Sequence, residues 1–385
     1  MIYADRLSIS PLLVVIKNEF GLSFFSTSLV LSIYFLTYVG FTVPITIVAM
    51  KYGFRRVMVL FFLLAAVSLG VAGVVGYSFF LLVFLIGLHG VGAGAYYPTA
   101  YTISTEMVPR ERVGFASGII NSGMAFGSIL GLVIAGPILS VFPNNWQVVL
   151  VILSIPTLFV TFLLHKVVPK QEKRPIVDGK SSSSILSQYK TALRNRNFLF
   201  LCGAMFCSLY GYWVILSWGP GFLQERGQTV LASGATTALF AAVAIIPSIL
   251  ISRHTDKIGR KKVALLILPL AALSIFFMAY STNLPEFLLA IVAYGIIGKL
   301  TLDPIVIAWV ADLAAGEALG PTLAILNVAA MSSSILAPTI TGALADATGS
   351  LANGFYFGAL VVMVGTAFVA LARSPRPSPS RVASA

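Results

Sequence analysis

Long runs of apolar residues follow one another along this chain with only short polar breaks between them, and no water-soluble fold can hide that many. A helix needs about 20 apolar residues to cross the hydrocarbon core of a bilayer. Twelve stretches approach or exceed that length: 1–16, which is short, then 24–49, 57–75, 79–105, 113–140, 146–166, 197–223, 231–252, 263–281, 284–312, 319–345 and 352–372. Over all 385 residues the chain is 58% hydrophobic and 10% charged, and its mean hydropathy is +0.95, far from the balance of a soluble domain. A transmembrane β-barrel is built from alternating strands of about ten residues, which these unbroken runs exclude. Helices are the other way to satisfy every backbone N–H and C=O in lipid, so the expected fold class is an all-α polytopic membrane protein.

The formal net charge of +12 would suit a nucleic-acid partner only if the basic residues shared one polar face. They do not. Of the 25 Lys and Arg, 21 fall in alternate connections: Lys51, Arg55 and Arg56; Arg110 and Arg112; Lys166 to Arg196; Arg253 to Lys262; and the tail. That asymmetry is a topology signal. It predicts both termini on the cytoplasmic side of the plasma (inner) membrane, a lipid bilayer as partner and no nucleic acid. Cys202 and Cys207 are five apart in one apolar run, point to different helix faces, and imply neither a disulfide framework nor a metal site. The chain has no Ser/His/Asp constellation, no metal-ligand spacing and no glycine loop followed by Lys-Ser or Lys-Thr. The expectation is a monomer that is not an enzyme, carries no cofactor and draws on gradients rather than ATP.

Sliding the chain on itself reveals a repeat at a constant offset of 206 residues. Gly53, Arg55, Arg56, Gly92, Pro98, Glu106, Glu111, Gly114, Asn121 and Gly136 meet Gly259, Lys261, Lys262, Gly298, Pro304, Asp312, Glu317, Gly320, Asn327 and Gly342. Each repeat holds an even number of expected helices, so the two halves run parallel. The predicted domains are an N-terminal six-helix bundle (1–166), a cytoplasmic linker (167–196), a C-terminal six-helix bundle (197–372) and a disordered tail (373–385). The same offset sets Met1 on Cys207, although helix seven is expected to begin near Phe198. The first helix is therefore expected to lack about nine residues at its N-terminal end, with the native start codon upstream.

Between expected helices eight and nine, Asp256-Lys-Ile-Gly-Arg-Lys-Lys262 resembles the loop signature of the major facilitator superfamily, and the likeness extends over essentially the whole chain. The first-half counterpart, Lys51-Tyr-Gly-Phe-Arg-Arg56, keeps the glycine and the bases, but Met50 stands where the family has Asp. The resemblance implies a major facilitator fold of 12 transmembrane helices working by alternating access, with Gly53, Arg55, Arg56, Asp256, Gly259, Arg260 and Lys261 in gating. In such a loop a glycine permits a sharp turn, an acid caps a neighbouring helix N-terminus, and bases hold the cytoplasmic side. A basic turn that only sets topology is the alternative. Tyr3-Ala-Asp5-Arg6, the EFGLS run at 19–23, Tyr34-Phe-Leu-Thr-Tyr38 and Pro44 are most similar, within that superfamily, to the anion:cation symporter family of organic-anion transporters. The resemblance implies that Arg6 meets the substrate carboxylate. The family's fourth-helix Arg and Glu fall on Ile86 and Ala93, so its proton-coupling scheme does not carry over.

A charge near the bilayer centre costs about 2.5 to 3.5 kcal/mol on insertion scales, so each one is a functional candidate. Arg6 presents a planar donor fork suited to a carboxylate, while Asp5 lies about 100° around the helix and serves another face. Alternatively, both only secure the outer end of helix one. Lys299 and Asp303, four apart, share a face of helix ten. A substrate carboxylate competing with Asp303 for Lys299, with protonation of Asp303 releasing the lysine, is one route to proton coupling; a permanent structural pair is the other reading. His89 is a candidate proton carrier or a packing donor. Tyr3, Tyr34, Tyr96, Tyr97, Tyr210 and Trp213 are candidates for substrate contact or for packing between helices. Asn327, the mate of Asn121, binds solute or bonds between helices, and the stripe Gly118, Gly123, Gly127, Gly131 and Gly136 reads as a packing seam.

The expected function is secondary active transport of a small organic anion, a carboxylate, coupled to protons. Two alternatives stand beside it: an efflux antiporter for drugs or cations, suggested by the glycine stripe and aromatic walls, and a non-transporting solute sensor, suggested by Met50.

Overall fold

The computed structural model describes residues 1–106, 108, 112–143, 145–169, 190–313 and 319–373, and the regular structure among them is helical. The first half comprises α1 (Ile2–Ser8), a 3-10 turn (Ser10–Leu12), α2 (Leu13–Phe20), α3 (Phe24–Tyr52), α4 (Phe54–Val75), α5 (Phe79–Ala93), α6 (Tyr96–Glu106), α7 (Val113–Val141) and α8 (Trp146–Val167). The second comprises α9 (Arg196–Gln224), α10 (Val230–Val243), α11 (Ile245–Ile258), α12 (Arg260–Tyr280), α13 (Leu284–Ile297), α14 (Lys299–Leu313), α15 (Leu319–Met331), α16 (Ser333–Thr348) and α17 (Ala352–Leu371). Among the described residues, 11 helical stretches are long and apolar enough to cross a membrane, beginning with Phe24–Tyr52. The first segment is not among them, because a 3-10 turn divides it into helices of only 7 and 8 residues.

That break is one of five local interruptions within the expected spans, and the other four lie in stretches that still reach membrane length. Helix one is interrupted after Ser8, helix four at Gly94–Ala95, helix eight at Ala244, helix ten at Gly298 and helix eleven at Ser332. Each interruption lies two to six residues before a proline: Pro11, Pro98, Pro247, Pro304 and Pro338 respectively. Proline lacks the N–H of the helical ladder, and its ring presses on the carbonyl four residues earlier. Arg6, Tyr96 and Lys299 all sit within three residues of such a break. Irregular backbone at membrane depth is tolerated where protein or a cavity satisfies it, which makes these positions natural places for a site.

The repeat is carried in backbone and side chains alike. Gly53 (φ 95, ψ 134) and Gly259 (φ 100, ψ 124), 206 residues apart, adopt one conformation that a side chain would strain. Just beyond the first, Arg55 donates to the His165 carbonyl at the end of α8. Just beyond the second, Lys261, the mate of Arg55, donates to the Ala370 and Ala372 carbonyls, each at 2.7 Å, around the mate of His165. Each half thus ties a loop cation to the carbonyl-rich end of its own last helix. The second half adds Arg260, which bonds the Ala308 carbonyl at 2.5 Å and pairs with Asp312; the first half has Phe54 in its place. Arg56 is exposed, and the side chain of Asp256 lies outside the described residues.

By contact density the chain forms two units: Met1–Val177, Trp213–Ala242 and Ser334–Phe355 in one, Asp178–Tyr212, Val243–Ser333 and Tyr356–Ala385 in the other. These units do not follow the sequence repeat, since the first draws in parts of α9, α10, α16 and α17. Within it α1 lies hard against α7. A Cβ on Gly131 would come 2.5 Å from the Ala4 carbonyl, whereas one on Gly123 meets nothing within 4 Å. The stripe is a packing seam at Gly131. Gly131→Leu is expected to destabilise the detergent-solubilised protein by about 1–3 kcal/mol through overpacking, read as a lower thermal unfolding midpoint, with Gly123→Leu near neutral.

Candidate functional site

In the first unit the short helix α1 is almost wholly enclosed: Asp5 is 0% and Arg6 5% exposed. The Arg6 guanidinium carbon lies 4.0 Å from the Tyr3 ring centre, 5.3 Å from Trp213, 5.5 Å from Phe35 and 5.9 Å from Tyr38. These rings brace one another. Phe35 and Trp213 are 4.3 Å apart, Tyr34 stacks on Tyr38 at 6.1 Å, and Tyr3 meets Tyr96 edge-on at 5.5 Å. Aromatic faces attract a guanidinium by about 0.5–2 kcal/mol each, more when water is excluded. The guanidinium's planar fork of donors is of the shape that suits a planar anion.

Asp5 turns to a different face, as helical geometry predicts. Its Oδ2 accepts a 2.7 Å bond from Thr157 Oγ1 of α8, while its buried Oδ1 has no hydrogen-bond partner among the described residues. Sequence reasoning missed Thr157, Phe35 and Asp312 as site or gate neighbours. Thr157 carries no signal in an apolar run; Asp312 was visible as the mate of Glu106. His89 is fully buried, its Nδ1 2.9 Å from the Ala65 carbonyl and its ring 5.4 Å from that of Tyr34. A carbonyl only accepts, so Nδ1 carries the proton, which is the packing-donor arrangement.

The second unit holds the other intramembrane charges. Lys299 Nζ and Asp303 Oδ2 are 2.5 Å apart, at 18% and 22% exposure, one turn along α14. The Lys299 ammonium also lies 5.0 Å from the Tyr212 ring centre, and Asp303 Oδ1 is buried without a hydrogen-bond partner among the described residues. Tyr210 packs on Phe357 at 6.0 Å and belongs to this unit, although Trp213, three residues on, joins Arg6 in the other. Tyr97, at 45%, is exposed, as is Asn327; the side chain of Asn121 lies outside the described residues. Removing one member of the Lys299–Asp303 pair strands the other charge. Lys299→Ala is therefore expected to lower the thermal midpoint more than the double change Lys299→Ala/Asp303→Ala does.

Comparison with known proteins agrees with this architecture. A "Probable sulfoacetate transporter" of Cupriavidus necator is 25% identical over 94% of this chain and 88% of its own length. A "Probable galactarate/D-glucarate transporter" of Bacillus subtilis is 24% identical over 96% of this chain and 87% of its own. The "Hexuronate transporter" of the same organism is 23% identical over 96% and 91%. Among solved structures, a D-xylose–proton symporter superposes with a TM-score of 0.76 at 15% identity, covering 96% of this chain and 94% of that one. A bacterial homologue of the human lysosomal transporter Spinster, captured inward-facing and unoccupied, gives 0.74 at 17% identity, covering 96% and 92%. The sequence pattern of the Major Facilitator Superfamily matches over residues 1–298 and again over 201–385. With the fold, the repeat and that match in agreement, the chain belongs to the major facilitator superfamily of membrane transporters.

Proposed function

We propose that this protein is a secondary active symporter that moves a small organic acid together with a proton, and that Arg6 receives the substrate's carboxylate. The observation that carries this reading is the Arg6 guanidinium, 5% exposed and flanked by four aromatic rings within 6 Å. A desolvated cation of that kind discriminates strongly for an anion of matching shape. Support also comes from relatives named for sulfoacetate, galactarate or D-glucarate, and hexuronate, all acids. The halves 1–166 and 197–372 are the moving parts, with both termini cytoplasmic as the basic loops imply. Asp5, beside Arg6 but on another face, is the first candidate proton carrier. Asp303 is the second, acting through its hold on Lys299. His89, with Nδ1 committed to Ala65, contributes packing.

Counterflow into proteoliposomes tests the substrate class directly. Vesicles preloaded with sulfoacetate, D-glucarate or a hexuronate are expected to exchange radiolabelled acid, while neutral sugars and hydrophobic cations neither exchange nor compete. Exchange of cations without acids would overturn the reading.

A further inference from the structure

We propose that Asp346 is the latch that keeps the outer end of this transporter closed, by capping the N-terminus of α3. The inference rests on the alternating-access reading above, and all its contacts lie within the first unit.

The first four N–H groups of a helix have no partner inside it. In α3 the N–H groups of residues 24, 25 and 26 are all met by side chains. Ser26 N donates to Ser23 Oγ at 3.1 Å, a local cap, and Thr27 N to the Ser23 carbonyl at 3.0 Å, the first bond of the helix itself. Phe24 N donates to Asp346 Oδ1 and Phe25 N to Asp346 Oδ2, each at 2.8 Å, across 322 and 321 residues. A carboxylate thus sits bidentate on the positive end of a helix from the other half of the repeat. Below it one face of α16 continues the seam. A Cβ on Gly342 would meet the Phe24 carbonyl at 2.6 Å, Thr339 Oγ1 lies 2.6 Å from Ser32 Oγ, and Ser32 Oγ donates to the Ile335 carbonyl at 3.0 Å. Trp218 Nε1 donates to the Pro338 carbonyl at 3.0 Å on a neighbouring face. Parting α16 from α3 must pull the carboxylate off two N–H groups that have no substitute except water.

The repeat shows that this latch is one-sided. At the offset of 206 residues, Ser23, Phe24, Gly342 and Asp346 correspond to Thr229, Val230, Gly136 and Ser140. The helix start and the close approach recur: Ala232 N donates to Thr229 Oγ1 at 3.1 Å, and a Cβ on Gly136 would come 2.4 Å from Leu231 Cα. The charge does not recur, for Ser140 Oγ donates to its own Pro137 carbonyl at 2.7 Å. Two equivalent seams close the outer end, and one of them carries a carboxylate clamp.

The test uses purified full-length protein lacking its native thiols (Cys202→Ala, Cys207→Ala) with a reporter, Ser32→Cys, on the α3/α16 seam. The rate of maleimide labelling reports how often the seam opens. Asp346→Asn is expected to raise that rate roughly tenfold, Asp346→Glu to bring it back toward the parent, and Ser140→Asp, which supplies the second seam with a carboxylate, to lower it. A rate for Asp346→Asn within about twofold of the parent overturns the proposal. If Asp346→Asn does not purify as a monodisperse protein, Ser140→Asp decides, and an unchanged rate there overturns it equally. No substrate enters the measurement, so a failure of the carboxylate assignment leaves this readout standing.

Discussion

Arg6→Ala is expected to abolish carboxylate exchange while leaving a folded, monodisperse protein. A hydrogen bond to a charged group contributes about 1.5–3 kcal/mol, so losing a two-pronged contact weakens substrate engagement on the order of a hundredfold or more. Arg6→Lys separates charge from shape. Lysine keeps the positive charge among Tyr3, Phe35, Tyr38 and Trp213 but is a hydrated point donor that presents no planar fork. It is expected to recover no more than a few per cent of exchange, about a thirtyfold deficit or worse. Counterflow on both variants, with the apparent KM fitted where signal allows, is the measurement. Wild-type exchange in Arg6→Ala would remove Arg6 from the site.

The second large effect is a split produced by Asp5→Asn. The Asn carbonyl oxygen still accepts the bond from Thr157 Oγ1, so the fold around α1 is retained. The side chain no longer takes up or releases a proton. Exchange of labelled acid at equal pH needs no net proton movement and is expected to survive within a few fold. Concentrative uptake does need it. A pH difference of one unit is worth about 1.4 kcal/mol per proton, or about tenfold accumulation, and Asp5→Asn is expected to reduce that to simple equilibration. Accumulation that persisted would shift the proton to Asp303, where Asp303→Asn is the corresponding test.

Much of this molecule is legible in the chain. The apolar runs and their charge asymmetry mark a polytopic helical membrane protein, and the Asp256 to Lys262 loop marks its superfamily. The repeat at 206 residues anticipates the matched conformations of Gly53 and Gly259 and the paired roles of Arg55 and Lys261. The Lys299–Asp303 contact follows from their spacing of four on one helix. The interruptions of five spans are less legible. Pro44, Pro137 and Pro220 lie inside unbroken helices, so a proline by itself does not say whether the chain will bend or break.

What the chain determined alone is everything set by local pattern: solvent, the helical class and its spans, repeat, turn glycines and the charged residues held in apolar helices. Tertiary structure decided which side chains meet. Arg6 collects rings from α1, α3 and α9, Asp5 finds Thr157 across 152 residues, and Tyr210 and Trp213 part company on one helix. Asp346, one polar residue at the end of an apolar run, becomes a helix cap across 322 residues. Helical periodicity says which residues share a face but not which face of which partner lies opposite. In a bundle that is settled only when the small residues, bends and crossing angles of all the helices are satisfied together.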